Sequence, residues 1–329
     1  MRIVKEHARV RVPATSGNCG PGFDAIGMAH DVWDDVSATL TTGATRVTIL
    51  GEGAKELPHD SSHLIVTVMQ QTMERYGVPQ TGIELVCRNS IQQGKGLGSS
   101  AAAIVAGLML VRELVGGDAS GFTRNTVLSL ATEYEGHPDN AAPCIFGGAT
   151  LSWQESSTVS REGQVGAGSE RTAALAGEGN MLRGSAAPSV HTVQLAVSPQ
   201  VHTTLLVPAE ILPTSEARAA LPQAVPHTDA VFQAARAGLL VHALEHRPDL
   251  LFEATEDRLH QSYRAAAMPR SAALLEALRE AHWPAVISGA GPSILLFAEV
   301  DSPLAQAVGR QGFQVIDSRQ VQGAHIVEQ

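Results

Sequence analysis

The sequence is short of positive charge and of cysteine, and both shortages exclude large classes of protein. Among its 329 residues, 23 are Lys or Arg and 33 are Asp or Glu, for a formal net charge of −10. A chain with this balance offers no electrostatic footprint to DNA or RNA and is repelled by anionic membranes. Phosphate binding stays open, because it needs only a local positive field. The three cysteines, Cys19, Cys87 and Cys144, lie far apart. With no Cys-x-x-Cys pair they read as small buried residues of a reducing compartment, not as zinc or redox ligands. No run of about 18 apolar residues occurs, so no membrane span is expected. Residues 1–12 alternate charged and apolar positions and lack the apolar core of a secretory signal. A cytoplasmic location is expected.

Hydrophobic residues make up 44% and charged residues 17%, an ordinary balance for a folded chain whose length suggests two domains. The stretch 7–12 alternates with period two and predicts a strand ending at Pro13. Two further alternating stretches within 35–50, broken by Thr-Thr-Gly, predict a hairpin. Asp60 or Ser61 is placed to cap a helix that Gly77 stops. Residues 81–89 read as a strand, 101–115 as a helix apolar nearly all round and therefore buried, and 123–134 as another helix. Residues 156–190 are rich in Ser, Gly, Ala, Glu and Arg without apolar period and read as a flexible insertion. It divides an N-terminal domain, 1–155, from a C-terminal one, 191–329. The second half predicts strands at 192–198, 202–208, 285–288 and 294–299, and helices at 229–246, 248–264, 271–283 and 302–310. This mixture without a regular βαβ period predicts an α+β fold with antiparallel sheet.

The most informative stretch is Gly94-Lys95-Gly96-Leu97-Gly98-Ser99-Ser100-Ala101. Glycines at every second position let the backbone turn sharply and approach an anion. Ser99 or Ser100 is placed to cap the helix that follows, whose unpaired N–H groups and positive dipole end face back into the loop. Loop and helix together suit a polyphosphate. It is neither a Walker A loop, lacking Gly-Lys-Ser/Thr, nor a dinucleotide fingerprint, lacking the third glycine.

Three separated motifs then resemble those of the GHMP kinases: residues 13–24, which begin Pro13-Ala14-Thr15-Ser16; the loop above; and Ser288-Gly289-Ala290-Gly291-Pro292-Ser293. The resemblance covers nearly the whole chain outside 156–190. It implies an N-terminal domain like ribosomal protein S5 domain 2, a C-terminal ferredoxin-like α/β sandwich, and transfer of the γ-phosphoryl of ATP, with Mg²⁺, to a hydroxyl. Gly22-Phe23-Asp24, Glu135 to Pro143, Thr214 to Pro222 and Asp257 to Arg264 resemble the branch that acts on L-homoserine. Gly17 and Cys19 depart from the usual residues around Asn18, and Gln92 stands where that loop often begins with proline. Kinases of isoprenoid precursors, and a non-catalytic ligand-binding relative, are the alternatives. Asp24 with Arg218 speaks against the first, and the intact loop and His-Pro-Asp-Asn cluster against the second.

By that resemblance, Gln93, Gly94, Lys95, Gly96, Leu97, Gly98, Ser99, Ser100 and Ala101 hold the nucleotide, with Lys95 either neutralising phosphate or pointing to water. Asn18, Asp24, Thr214, Arg218 and Arg264 take the substrate. Asp24 suits its ammonium, and the two guanidinium forks suit its carboxylate. Arg258 competes with Arg264 for the second fork. Asp139, with His137 and Asn140, faces the attacking hydroxyl as base or as positioning group. Ser100 and either Glu133 or Glu135 are the metal candidates. The resemblance also implies a homodimer.

Overall fold

The computed structural model describes residues 1–155 and 189–327. The expected insertion therefore lies outside the described residues except for its last two positions.

The first sheet has seven strands: β1 (His7–Ser16), β2 (Ile26–Thr41), β3 (Arg46–Gly51), β4 (Gly82–Asn89), β5 (Ala149–Gln154), β6 (Val190–Leu195) and β11 (His325–Ile326). β6 pairs with β5 and β11 with β1, so chain from beyond the insertion completes this sheet. Its helices are α1 (Leu64–Arg75), α2 (Ser99–Leu114), α3 (Arg124–Glu135) and α4 (Ala141–Phe146). α2 packs against β1, α1, α3 and α4, which accounts for its apolar circumference.

The second sheet has the order β10 (Phe313–Ser318), β7 (Thr203–Pro208), β9 (Ile294–Leu296), β8 (Ala285–Ile287), antiparallel throughout. Around it lie α5 (Thr214–Ala219), α6 (His227–Glu245), α7 (Leu251–Ala254), α8 (Gln261–Arg264), α9 (Pro269–Glu280) and α10 (Ser302–Arg310). Leu205, Val207, Val286 and Leu295 join the first core, with Leu240 and Leu244 of α6. Leu206, Ile287, Ile294 and Leu296 join a second core with Leu274 and Leu278 of α9 and Val308 of α10. Burial on both faces is why β7 and β9 read as continuous apolar runs.

The α+β class is as expected, while five local expectations are corrected. β2 and β3 form no hairpin: β4 lies between them, antiparallel to β2 and parallel to β3. A parallel pair needs a crossover, and α1 supplies it. β1 runs through Pro13 to Ser16, because a register shift between Pro13 and Ala14 accommodates the missing N–H. The α1 cap is His63, whose ring nitrogen accepts from the Ile65 N–H, while Asp60 accepts from Ser62. The cap of α2 is Gly98 in the left-handed region, with Ser99 and Ser100 already inside the helix. The helix expected over 248–264 is broken. Thr255 bonds back to the Leu251 carbonyl and ends α7, and Asp257 accepts from the N–H groups of Leu259, His260 and Gln261 to start α8. Among the described residues no helix is long and apolar enough to cross a membrane.

Candidate active site

The two sheets meet at the glycine loop. Gly94, Gly96 and Gly98 have φ of 63°, 74° and 68°, the region that a Cβ disfavours. Each carbonyl from 94 to 97 is held by a residue distant in sequence. Gly94 accepts from the Leu212 N–H (2.9 Å), Lys95 from the Ser293 N–H (3.1 Å) and Leu97 from the Thr15 N–H (3.0 Å). Gly96 accepts from the Ser288 hydroxyl at 2.6 Å. No backbone N–H from 94 to 101 donates to another described residue. The loop thus turns its oxygens toward protein and keeps its N–H groups, with those that open α2, for an anion.

A pocket opens beside it, lined by Gly94, Gly96, Gly98, Ser99, Ser100 and Ala101 and, facing them, by Asn18, Glu135, His137, Asp139, Asn140, Thr214, Arg218, Arg264, Gly289 and Ala290. The turn after β1 has a strained backbone: Asn18, Cys19 and Asp24 all have positive φ. Asn18 fixes the turn three ways. Its N–H donates to Asp139 (2.9 Å), its amide donates to the Gly289 carbonyl (2.8 Å), and its side-chain oxygen accepts from the Asp24 N–H (3.0 Å).

Asp139 is buried and hydrogen-bonded to the Nδ1 of His137. Burial pushes its pKa up, but His137, Arg218 and the Asn18 N–H outweigh it and the net shift is downward. Burial pushes His137 down, but the charge and hydrogen bond of Asp139 outweigh it and the net shift is upward. Together they form a charged pair. The Asn140 side-chain oxygen accepts from the Thr15 hydroxyl at 3.0 Å.

Arg218 and Asp24 pair at 2.7 and 3.4 Å. With side chains about a third exposed, such a pair is worth only about 0–1 kcal/mol, so a ligand of matched charges can replace either half. Arg264 is buried at 1% exposure, donating to Ala217, His260 and Gly289. Burial pushes its pKa down to about 10, which leaves it charged at neutral pH. Phe23 lies 6.0 Å from the Arg218 guanidinium carbon and 5.6 Å from that of Arg264, a ring that tolerates two nearby cations. Arg258, the competing arginine, pairs with Asp229 at the surface.

Five expected residues do not line the pocket. Lys95 gives all three of its donors to the carbonyls of Pro208, Ala209 and Glu210; it clamps the end of β7 and leaves none for phosphate. Gln93 does not line the pocket, Asp24 reaches it only through its pair with Arg218, and the Leu97 side chain is buried in the first core, leaving only its backbone to the loop. Of the two metal candidates, Glu133 is spent on Arg75 at 2.8 Å, on a different side of α3 from the pocket-lining Glu135. Glu135 accepts from the Ser100 hydroxyl at 2.6 Å, and among the described residues it has no ion-pair partner. Burial raises its pKa against that bond. An unpaired carboxylate touching the loop's hydroxyl suits a hard cation. Oxygens of Asp24 and Asp139 and a nitrogen of His137 also cluster within 4.8 Å, but those carboxylates already face Arg218 and His137. Thr15 and Phe23, to which sequence reasoning gave no role although both stand inside the first motif, touch pocket residues from behind: Thr15 bonds Asn140, and Phe23 lies beside Arg218 and Arg264.

Residues 63–148 match the family model "GHMP kinases N terminal domain" and residues 235–312 match "GHMP kinases C terminal". A homoserine kinase of Streptomyces coelicolor is 43% identical over 89% of this chain and 85% of its own length. One of Cutibacterium acnes is 41% identical over 96% and 98%. The crystal structure of homoserine kinase from Cytophaga hutchinsonii superposes with a TM-score of 0.75 at 26% identity, covering 98% of each chain. That of mevalonate diphosphate decarboxylase from Staphylococcus aureus, at 15% identity and TM-score 0.64, shares the fold over 98% of each chain.

The charged pair makes stability depend on pH. His137 is raised above 6.5, so its contribution is complete below 6.5 and is lost as pH rises through the raised value. Asp139 is lowered below 3.8, so its contribution is present above 3.8 and is lost as pH falls through the lowered value. The melting temperature of His137→Gln should therefore fall furthest below wild type near about pH 5, by roughly 3 °C or more, and the gap should narrow at about pH 9. Thermal unfolding of both proteins across that range checks this; a gap independent of pH would mean that the pair is uncharged.

Proposed function

Because this chain belongs to the GHMP kinases, and within them to the homoserine kinases, we propose that it transfers the γ-phosphoryl group of ATP to the side-chain hydroxyl of L-homoserine. The product is O-phospho-L-homoserine, and the step belongs to threonine biosynthesis. The observation that carries this reading is that an oxygen-out, N–H-in loop borders the same pocket as Arg264 and as Arg218, which is paired with Asp24, a set of charges able to meet those of an amino acid.

The geometry supports the following residue roles. The triphosphate lies along the N–H groups of 94–101, the end of the cradle with positive potential. The ammonium of homoserine takes the place of the Arg218 guanidinium on Asp24, and its carboxylate takes the place of Asp24 on Arg218. The Nη2 of Arg264 has no hydrogen bond among the described residues and adds the second fork. Thr214 opens the helix that carries Arg218 and offers its hydroxyl at the same wall. The substrate hydroxyl then points to Asp139, whose ionised form accepts its hydrogen bond, and whose position His137 and Asn18 fix. A loose transition state asks mainly for alignment and charge stabilisation, so Asp139 serves by orienting the nucleophile as much as by taking its proton. Ser100 and Glu135 would hold Mg²⁺. Bound there, the ion would neutralise charge on the phosphate oxygens.

Purified protein with Mg-ATP should release ADP with homoserine and not with mevalonate or galactose; turnover with mevalonate alone would sink the assignment. Arg218→Ala should raise KM for homoserine by about tenfold or more with KM for ATP nearly unchanged, and equal effects on both would remove Arg218 from the carboxylate site. Asp139→Asn and Glu135→Gln should each lower kcat by about 100-fold. Only the second should raise the Mg²⁺ concentration for half-maximal rate, which a metal titration of both variants reads out.

A further inference from the structure

A buried line of hydrogen bonds runs from the second sheet to the phosphate loop, and its direction is fixed at each link from Gly96 to His30. It starts at the Gly96 carbonyl, which can only accept, so the Ser288 hydroxyl spends its one proton there, at 2.6 Å. The 2.6 Å contact between Ser16 and Ser288 must then be donated by Ser16. Ser16 in turn must accept from the Nε2 of His30, at 2.7 Å. The other ring nitrogen of His30, Nδ1, receives the Ser318 hydroxyl at 3.0 Å, and Ser318 accepts from the Asp31 N–H at 3.3 Å. The neutral Nε2–H tautomer of His30 fits both neighbours. Burial agrees, holding the ring's pKa down to about 3. His30, Ser16 and Ser288 are completely buried, and Ser318 nearly so.

We propose that His30 is a positioning residue for ATP, acting through Ser16 and Ser288 to hold the Gly96 carbonyl turned away from the nucleotide. The planar trans peptide points its C=O and N–H in opposite directions. Fixing the Gly96 oxygen on Ser288 therefore fixes the Leu97 N–H on the opposite side. His30 comes from β2 and Ser318 from β10, so the line couples both sheets to the loop. A hydroxyl can rotate, and without His30 the Ser16 proton is free to turn elsewhere. Ser288 then has two orientations and the loop carbonyl loses its only partner in one of them. Leaving a buried polar group unmatched carries a substantial penalty, and here that penalty falls on the state that binds phosphate.

The inference rests on the assignment of 94–101 as the nucleotide loop, so its test reads ATP binding apart from turnover. Calorimetric titration with ATP and steady-state kinetics are compared for wild type, His30→Leu, His30→Gln and Ser318→Ala, each checked by thermal unfolding. His30→Leu should weaken ATP binding and raise KM for ATP by about tenfold, with KM for homoserine within about twofold. His30→Gln keeps an N–H where Nε2 stood and an oxygen to accept from Ser318, and should restore ATP affinity to within about threefold. Ser318→Ala leaves the link to Ser16 and should weaken ATP binding by about threefold. It carries the test if His30→Leu does not fold. A folded His30→Leu with wild-type ATP affinity would overturn the proposal, as would equal rises in both KM values or, if His30→Leu does not fold, an unaltered Ser318→Ala. Wild type that binds ATP without phosphorylating homoserine would refute the proposed function and leave the His30 test intact, whereas wild type without ATP affinity would refute both.

Discussion

The site depends on where four carbonyl oxygens point. From Gly94 to Leu97 each oxygen is taken by a partner outside the loop: Leu212, Ser293, Ser288 and Thr15. A short loop has no helix or sheet of its own to satisfy its polar groups, so its conformation must be set by what surrounds it. Here the surroundings hold one arrangement, and that arrangement leaves the N–H groups without acceptors among the described residues. Two of the four partners come from the segment that joins β8 to β9 and one follows β7, so the second sheet is part of the phosphate site even though its own strands carry no catalytic group.

The substrate side is organised by opposed charges that are easily exchanged. Asp24 and Arg218 satisfy each other at the pocket mouth, in partial contact with water, where the gain from pairing is small. Arg264 sits deeper, anchored by protein carbonyls, and among the described residues no carboxylate is bonded to it. That difference in depth separates the two arginines: Arg218 sits in an exchangeable pair near water, and Arg264 is already fixed by protein groups. Asp139 is held ionised by His137 despite complete burial, which keeps an acceptor available where a hydroxyl must be aligned.

The periodic elements and the three glycine-bearing motifs were legible because they depend on neighbours in sequence. A glycine at every second position records a backbone that must adopt positive φ, and α2 is apolar all round because it is enclosed. Side-chain direction was not legible. Lys95 stands among phosphate-loop glycines and by type belongs there, yet its ammonium finds three carbonyls at the end of β7 first. Glu133 and Glu135 are two residues apart on one helix, and a turn of about 200° between them sends one to Arg75 and the other to Ser100. The failed hairpin has the same origin, since alternation in β2 and β3 records a buried face and does not name the strand that lies alongside.

The sequence by itself therefore determined the class of fold, the glycine loop and the identity of the charged groups that gather beside it, all of them properties of local pattern and residue chemistry. Tertiary structure alone decided which charges meet: Glu135 over Glu133 at Ser100, Lys95 turned to β7, and His30 joined to a loop more than sixty residues away. Pairing of this kind is governed by distance in space and by the need of every buried polar group for a partner, and neither quantity is written in the order of residues along the chain.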